Sequence, residues 1–341
     1  MRNNKKCVLT LDYELFFSKS GSAEQSIIYP TECLMKVLDE VGAKATFFVD
    51  TIYLNLLRNS DRFENIKIYE KIEEQLRTIV KRGSRIELHL HPHWLDAYQL
   101  DTEWIFPSYQ HYKLNSLSEQ KIQQLFEEGI DLLNRIGRQI EPNYSVMAFR
   151  AGGWCVEPFQ KIKNTFRKNG IKLDSSIVPG IKFNGDIHHL DYSDMQPIGY
   201  YYFTNDIRNK EIAGEFVELP VNGYELKRIE KITWLIKSRI WKQQAQIFGD
   251  GVGMRSMAHQ GRWEKLYSLI DQKIQYNQYV LDGYIDQKVI CKKIEISDLP
   301  FITMVAHPKT LTFSSLDTIR YIANKGHRFV SVKDIYMGIL K

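Results

Sequence analysis

The stretch Lys6-Cys7-Val8-Leu9-Thr10-Leu11-Asp12-Tyr13-Glu14 decides the fold of this chain. Its apolar run from Cys7 to Leu11 is short and stops at a carboxylate, which indicates a strand that ends at a polar edge. Further short, β-rich runs follow along the chain and alternate with longer stretches of helical periodicity. This alternation is typical of βα units around parallel strands, so the sequence predicts an α/β fold built as a single (β/α) barrel.

The predicted elements extend over most of the chain. Strands are predicted at 6–12, 44–50, 85–91, 145–150, 172–177, 216–221, 301–307 and 328–332. Helices are predicted near 30–42, 63–82, 117–136, 157–169 and 314–325, with capping residues and glycines at several boundaries. Residues 223–295 break the alternation, because two long helical patterns, 225–247 and 261–283, flank a glycine-rich segment. We interpret this region as a helical insertion in one domain that spans residues 1–341.

Composition excludes several classes of protein. The 341 residues are 43% hydrophobic and 26% charged, which is far from the composition of a disordered chain. The net charge of +5 does not imply a nucleic-acid surface, and we predict no nucleic-acid partner. The four cysteines are far apart, which predicts reduced thiols and no thiolate zinc site. The first apolar run is too short for a signal peptide or a membrane span, and this predicts a cytoplasmic location.

Asp12 and Glu14 stand at the end of the first predicted strand. In a parallel barrel the residues that carry the chemistry gather at the carboxyl ends of the strands. Because side chains alternate along a strand, the two carboxylates share one face while Leu11 and Tyr13 point the other way. They repel each other unless a metal ion or the guanidinium of Arg150 lies beside them. The alternative is that both belong to an exposed acidic loop.

The segment His89-Leu90-His91-Pro92-His93 places three imidazoles at the end of another predicted strand. If the chain turns helically after Pro92, His89 and His93 can direct ring nitrogens at one metal ion, as zinc requires. A rival arrangement pairs His89 with His91 through strand alternation. Two histidines and one carboxylate leave coordination positions open for water, which is typical of a catalytic site.

Further polar residues follow other predicted strands. Arg150 precedes Gly152 and Gly153, whose backbone N–H groups can approach a ligand closely, although such a glycine pair is usually a turn. His307 follows an apolar run, so it is either a functional residue or a satisfied histidine of the core. Asp174 lies within its strand and could equally form a turn.

Five of these segments, taken together, resemble the five motifs of the polysaccharide deacetylase family, also called carbohydrate esterase family four. The matching segments are 9–14, 89–93, 149–154, 173–176 and 304–308, in the order that the family has. The resemblance extends from about residue 6 to about residue 335 and leaves 223–295 unaccounted for. It implies a distorted (β/α) barrel that removes acetyl groups from N-acetylated sugars with one divalent metal ion. Zinc is the first expectation, and cobalt, nickel, manganese and iron are alternatives.

The resemblance also implies roles for individual residues. In the reaction, Asp12 would be the catalytic base and Arg150 the arginine that orients it. His307 would be the catalytic acid, and Asp174 would support that acid. The implied metal ligands are His89, His93 and Glu14. The implied substrate contacts are Gly153, Trp154 and His91. Glu14 is assigned as a metal ligand because Tyr13 stands where the family usually has its second aspartate, and strand alternation puts Glu14 on the same face as Asp12. The third and fourth motifs lack the family's usual Pro-Tyr and second acidic or tryptophan partner.

The predicted location limits the range of possible substrates. A cytoplasmic deacetylase meets biosynthetic intermediates, so we expect an N-acetylated sugar on a nucleotide or lipid diphosphate carrier, as in surface-polysaccharide assembly. The basic segment 227–242 has isoleucines at helical spacing, and it either meets carrier phosphates or a membrane surface or buries its isoleucines on the barrel. Two other functions stay open, namely hydrolysis of a non-sugar amide or cyclic imide and metal-free carbohydrate binding on the same barrel. The sequence predicts no particular oligomeric state.

Overall fold

The central element of the fold is a curled, mostly parallel sheet. The computed structural model describes residues 4–185, 187–253 and 275–340. In chain order the strands are β1 (Lys6–Tyr13), β2 (Thr46–Asp50), β3 (Arg85–Leu90), β4 (Tyr98–Leu100), β5 (Glu103–Ile105), β6 (Ala148–Ala151), β7 (Leu173–Asp174), β8 (Lys182–Asn184), β9 (His189–Asp191), β10 (Tyr201–Phe203), β11 (Phe216–Glu218), β12 (Gly223–Leu226), β13 (Gln275–Gln278), β14 (Phe301–Ala306) and β15 (Arg328–Val330).

Helices cover the outside of this sheet. They are α1 (Tyr29–Glu40), α2 (Thr51–Arg58), α3 (Phe63–Lys81), α4 (Glu119–Arg138), α5 (Gln160–Asn169), α6 (Arg228–Ile240), α7 (Gln287–Ile296), α8 (Phe313–Asn324) and α9 (Val332–Ile339). Short 3-10 turns at Pro92–Asp96, Gly152–Trp154 and Pro308–Thr310 follow strands β3, β6 and β14. No helix of the described residues is long and apolar enough to cross a membrane.

The order of the strands is that of a partly open barrel. The sheet runs β10-β11-β7-β6-β3-β2-β1-β14, and β15 also pairs with β1. The ladders are parallel except for the antiparallel pair β10–β11. Among the described strands no ladder joins β10 to β14, so the sheet curls without closing. This architecture confirms the predicted α/β fold with a distorted barrel.

The two faces of the strands contact different parts of the protein. Leu9, Leu11 and Tyr13 of β1 point outward into the main hydrophobic core beneath the helices. On the inner face, Val8 packs with Phe48 and with residues of α9, which together close the amino-terminal end of the barrel. Further along the same inner face come Thr10 and Asp12, which are polar. The barrel therefore has an apolar floor and a polar chamber at the carboxyl ends of its strands.

Most predicted elements have observed counterparts, with three differences. Helices α2, α7 and α9, strand β10 and the small hairpins were not predicted. The helical pattern 225–247 begins as strand β12, and helix α6 ends at Ile240. The predicted helix 261–283 is wrong for 275–278, which form strand β13 paired with β12, and its part at 261–274 lies outside the described residues. The prediction of a helix is wrong at 275–278 because the antiparallel partner strand, β12, supplies the backbone hydrogen bonds of these residues.

Candidate active site

Arg150 and Asp12 form a fully buried ion pair at the centre of the chamber. Arg150 Nη1 donates to Asp12 Oδ1 at 2.6 Å, and Nη2 donates to Thr10 Oγ1 and Ser175 Oγ at 2.9 Å each. Its Nε donates to the carbonyl oxygen of Ser175 at 2.8 Å. Burial alone would raise the pKa of Asp12, but the charge of Arg150 outweighs burial and the pKa is lowered. The Asp12 carboxylate is therefore ionised and fixed in direction, as an acceptor of protons must be.

Glu14, His89 and His91 bring three donor atoms together, and these atoms lie within 4.8 Å of one another. His89 Nε2 is 3.1 Å from Glu14 Oε2, and His91 Nε2 contacts the same oxygen. His89 Nδ1 is 2.7 Å from the carbonyl oxygen of Arg150. Because a carbonyl only accepts, Nδ1 carries a proton, and Nε2 is the ring atom that faces Glu14 and would bind a metal ion.

The surroundings of these side chains suit a divalent metal ion. Burial lowers the pKa of His91 to about 4, so its imidazole is neutral and can be a ligand. Burial would raise the pKa of Glu14, but His91 and Lys309 hold it well below its usual range. Two imidazoles and one carboxylate are the donor set of a catalytic zinc site. Gly152 makes room for His91, because a Cβ at this position would lie 2.5 Å from His91 Nδ1.

His93 is not part of this group, contrary to the predicted pairing of His89 with His93. Its fully buried ring lies edge-on to Phe17, with 4.4 Å between the ring centroids, and beside Trp94 and Phe106. Neither ring nitrogen has a hydrogen-bond partner. The chain enters a 3-10 turn at Pro92, and three residues per turn do not return a side chain four positions on to the same face. His91, predicted to contact substrate, lies where the second imidazole was expected.

Lys309 is a neighbour of Glu14 that the sequence analysis missed. Its Nζ donates to Glu14 Oε1 at 2.7 Å and to the carbonyl oxygen of Leu15 at 2.8 Å. The rings of Phe16 and Phe17 lie 5.2 and 5.0 Å from this nitrogen. The ammonium neutralises one oxygen of Glu14 and leaves Oε2 to the histidines. The only signal in the sequence is its position two residues after His307.

His307 is held by Asp282 and not by Asp174, which corrects the second predicted pairing. Asp282 Oδ2 lies 2.7 Å from His307 Nδ1, and its Oδ1 accepts from the backbone N–H of His307 at 2.9 Å. His307 Nε2 is left 3.6 Å from Asp12 Oδ2. Burial would lower the pKa of His307, but the charge and hydrogen bond of Asp282 raise it to about 9. His307 is therefore a protonated imidazole that faces the Asp12 carboxylate.

Asp174 instead lies beside Glu218, its register partner on the neighbouring strand β11. Asp174 accepts from the backbone N–H of Ser176 at 2.8 Å, and Glu218 accepts from that of Ile177 at 3.0 Å. Burial raises the pKa of Asp174 to about 6 and that of Glu218 well above its usual range. The pair therefore shares a proton near the guanidinium of Arg150. Strand alternation could not reveal Glu218, because its partner is remote in sequence.

Gly153 and Trp154 form one edge of the chamber. Both have left-handed backbone conformations, with φ of 59° and 60°. A Cβ on Gly153 would lie 2.7 Å from the hydroxyl of Tyr112, so a larger residue does not fit. The ring of Trp154 stacks on Phe183 at 6.2 Å between centroids. These contacts fix the loop after β6, while the predicted substrate contacts of Gly153 and Trp154 stay predictions.

Comparisons of sequence and structure relate this chain to known proteins. Residues 25–167 match the sequence model of the family described as polysaccharide deacetylase. An inferred polysaccharide deacetylase from Mycobacterium smegmatis has a similar structure over 98% of this chain and 90% of that chain, with 15% identity and a TM-score of 0.51. A family 4 carbohydrate esterase from Streptomyces lividans in complex with acetate aligns over 94% and 88%, with 11% identity and a TM-score of 0.40. A family 4 pseudoenzyme from Bacillus anthracis aligns over 98% and 66%, with 11% identity and a TM-score of 0.40.

The sequence match relates residues 25–167 to this family, and the Mycobacterium structure adds a similar fold. The matched segment extends from just before α1 into α5 and contains His89, His91 and Arg150. The two alignments with lower TM-scores add nothing to this assignment, and a search of curated protein sequences found no match. Residues 25–167 of this chain therefore match the polysaccharide deacetylase family in sequence, which confirms the resemblance that its motifs indicate.

Proposed function

We propose that this protein is a metal-dependent hydrolase that removes the acetyl group from the nitrogen of an N-acetylated sugar. The observation that carries the proposal is one chamber that contains a fixed carboxylate, a protonated histidine and three convergent donor atoms. Asp12 and His307 face each other across 3.6 Å, beside Glu14, His89 and His91. A hydrolase of the deacetylase type needs a base, an acid and a means to polarise the amide carbonyl.

The roles of the residues follow from their contacts. A metal ion held by Glu14, His89 and His91 would polarise the acetyl carbonyl and make a bound water more acidic. Asp12 accepts the proton of the attacking water, and Arg150 keeps it ionised and oriented. His307 donates a proton to the departing nitrogen, which otherwise leaves poorly, and Asp282 keeps His307 protonated until then. The backbone N–H of Gly153 is proposed to stabilise the oxyanion.

The exposed face of α6 supports a substrate on a lipid carrier over one on a nucleotide. Ile229, Ile232, Ile236 and Ile240 are between 43% and 69% exposed, so the alternative in which they are buried on the barrel is wrong. Lysines and arginines flank this apolar face, which is the pattern of a helix that lies on an anionic membrane surface. We propose that the helix holds the protein at the membrane where such a carrier is anchored, in surface-polysaccharide assembly.

Two further features stay predictions of the sequence. One is a cytoplasmic location, with which the four free cysteines agree. The other is a single domain over residues 1–341.

Metal content and acetate release test the proposed function. We expect about one divalent ion per chain after incubation with zinc or cobalt. The ion should be lost in Glu14→Ala and His91→Ala and kept in His93→Ala, with circular dichroism as the check that each variant folds. The wild type should release acetate from N-acetylated oligosaccharides.

The outcomes separate the alternatives. Loss of the ion in His93→Ala and not in His91→Ala would restore the ligand pair predicted from the sequence. Absence of bound metal in the wild type would contradict a metal-dependent enzyme and favour carbohydrate binding alone. Bound metal without acetate from any sugar would favour a non-sugar amide.

A further inference from the structure

Lys309 is a buried cation beside the candidate metal ligands, and the proposed function gives it no role. It lies in the 3-10 turn that follows β14, and only 8% of its side chain is exposed. Its Nζ donates to Glu14 Oε1 at 2.7 Å and to the carbonyl oxygen of Leu15 at 2.8 Å. Burial of an ammonium costs free energy, so a lysine in this position needs a reason beyond stability.

The two carboxylate oxygens of Glu14 have different neighbours. Oε1 accepts from Lys309, whereas Oε2 lies 3.1 Å from His89 Nε2 and also contacts His91 Nε2. A glutamate side chain has several rotatable bonds, and its carboxylate can bind a metal ion through one oxygen or through both. The hydrogen bond from Lys309 removes this freedom, because it occupies Oε1 and leaves Oε2 directed at the two histidines.

The glycine-rich segment 249–253 holds Lys309 from the other side. The backbone N–H of Gly249 donates to the carbonyl oxygen of Lys309 at 3.1 Å, and a Cβ on Gly249 would lie 2.4 Å from that oxygen. The ring of Phe16 lies 5.2 Å from the ammonium, and a Cβ on Gly251 would lie 2.4 Å from this ring. Only residues without side chains approach so closely. The segment belongs to region 223–295, which the resemblance leaves unaccounted for, and it fixes the turn that carries Lys309.

We propose that Lys309 is a positioning residue for the metal ligand Glu14. It restricts Glu14 to binding through Oε2 alone and so keeps a coordination position open for water. A carboxylate that bound through both oxygens would occupy two positions, and a catalytic ion needs an open one. This inference rests on the proposed function for the presence of the ion. A merely structural ion pair between Lys309 and Glu14 would affect stability and leave the coordination of the ion unchanged.

The visible spectrum of bound cobalt tests this inference without reliance on turnover. Cobalt(II) absorbs strongly in tetrahedral sites and weakly in sites with more ligands, so it reports the number of bound oxygens. Lys309→Met keeps the apolar stem and removes the ammonium. We expect the same cobalt content per chain as in the wild type and a molar absorption that is about twofold lower or less.

Lys293→Met is the matched control. Lys293 lies on α7, its side chain is also 8% exposed, and it pairs with Glu230 at 2.9 Å. Its replacement therefore removes a buried ammonium from an ion pair outside the candidate active site, and the cobalt spectrum should stay that of the wild type. Gly249→Ala is a second variant, because its Cβ would displace the carbonyl of Lys309. It should lower the absorption in the same direction as Lys309→Met.

The outcomes separate this inference from the proposed function. Cobalt bound to the wild type with an unchanged spectrum in Lys309→Met, or an equal change in Lys293→Met, would overturn the inference alone. If Lys309→Met does not fold, Gly249→Ala decides, since lower absorption supports the inference and an unchanged spectrum overturns it. A wild type that binds no cobalt would contradict both proposals. The expected spectra without acetate release from any sugar would support the role of Lys309 and contradict the deacetylase.

Discussion

At the scale of the single residue, Arg150 fixes the positions of several groups in the candidate active site. Its guanidinium is fully buried, lies 4.4 Å from the ring centroid of Phe48, and donates to Asp12, Thr10 and Ser175. A lysine could not replace it, because a single ammonium cannot hold three partners that lie in one plane. A buried ion pair of this kind contributes little to stability, so its value lies in an Asp12 carboxylate of fixed charge and direction.

The pair of His307 and Asp282 leads to a prediction on pH dependence. Because Asp282 raises the pKa of His307 to about 9, the acid is protonated at neutral pH, and kcat/KM should fall as pH rises through about 9. In Asp282→Asn the charge is lost, and this alkaline limb should move toward the usual histidine pKa of 6.5. The measurement is kcat/KM against pH for both proteins.

Asp174→Asn serves as the control for this prediction, since the sequence assigned the support of His307 to Asp174. In Asp174→Asn, kcat/KM should fall at nearly the same alkaline pH as in the wild type. A limb that moves in Asp174→Asn and not in Asp282→Asn would refute the assignment of Asp282.

Helix α6 is unusual at the scale of the element, because its polar side faces the protein. Trp234, Lys237 and Glu230 contact the body of the molecule through Tyr284, Asp286 and Lys293. The isoleucines lie on the opposite side of the helix and are exposed. An ordinary surface helix has the reverse arrangement, with its apolar stripe toward the core.

We predict that this apolar face binds anionic membranes. The double variant Ile232→Ser/Ile236→Ser should lower the binding constant for phosphatidylglycerol-containing vesicles about tenfold or more, because two aliphatic side chains that would enter the membrane are lost. Co-sedimentation with such vesicles and with pure phosphatidylcholine vesicles measures the effect. The control Phe63→Ser/Ile212→Ser removes exposed apolar side chains elsewhere and should bind like the wild type. Equal binding by both double variants would rule out α6 as the contact.

At the scale of the whole molecule, the buried charged groups lie at one end of the barrel. The apolar floor around Val8 and Phe48 lies beneath a chamber that contains Asp12, Glu14 and Arg150. Near the arginine, Asp174 and Glu218 add two more buried carboxyl groups. Burial of groups that are not fully paired costs free energy of folding, so the buried carboxyl groups at this end of the barrel lower its stability.

This cost should appear in the pH dependence of global unfolding. The folded pKa of Asp174 is about 6 against an ordinary value of 3.8, so its stabilising contribution is complete below pH 3.8 and is lost as pH rises through about 6. Relative to Asp174→Asn, the free energy of unfolding of the wild type should therefore decline between pH 4 and 6, by on the order of 1–3 kcal/mol. Urea denaturation across this range measures the difference. A constant difference across the range would show that Asp174 titrates normally.

The sequence by itself determined the features that depend on local periodicity. Short apolar runs between helical patterns predicted the strands of the sheet, because the period of side-chain burial is a property of the local backbone. The same alternation put Asp12 and Glu14 on one face and Tyr13 on the other, where its hydroxyl donates to Gln75 at 2.8 Å. The order of the motifs predicted the family.

The tertiary structure alone decided which side chains meet. The choice of His91 over His93 depends on the 3-10 turn after Pro92 and on the space beside Gly152, which come from different parts of the chain. The support of His307 by Asp282 and the position of Lys309 beside Glu14 arise because the curled sheet brings distant loops together at one edge. Periodicity describes which way a side chain points and carries no information about its partner across the barrel, so these contacts required the folded chain.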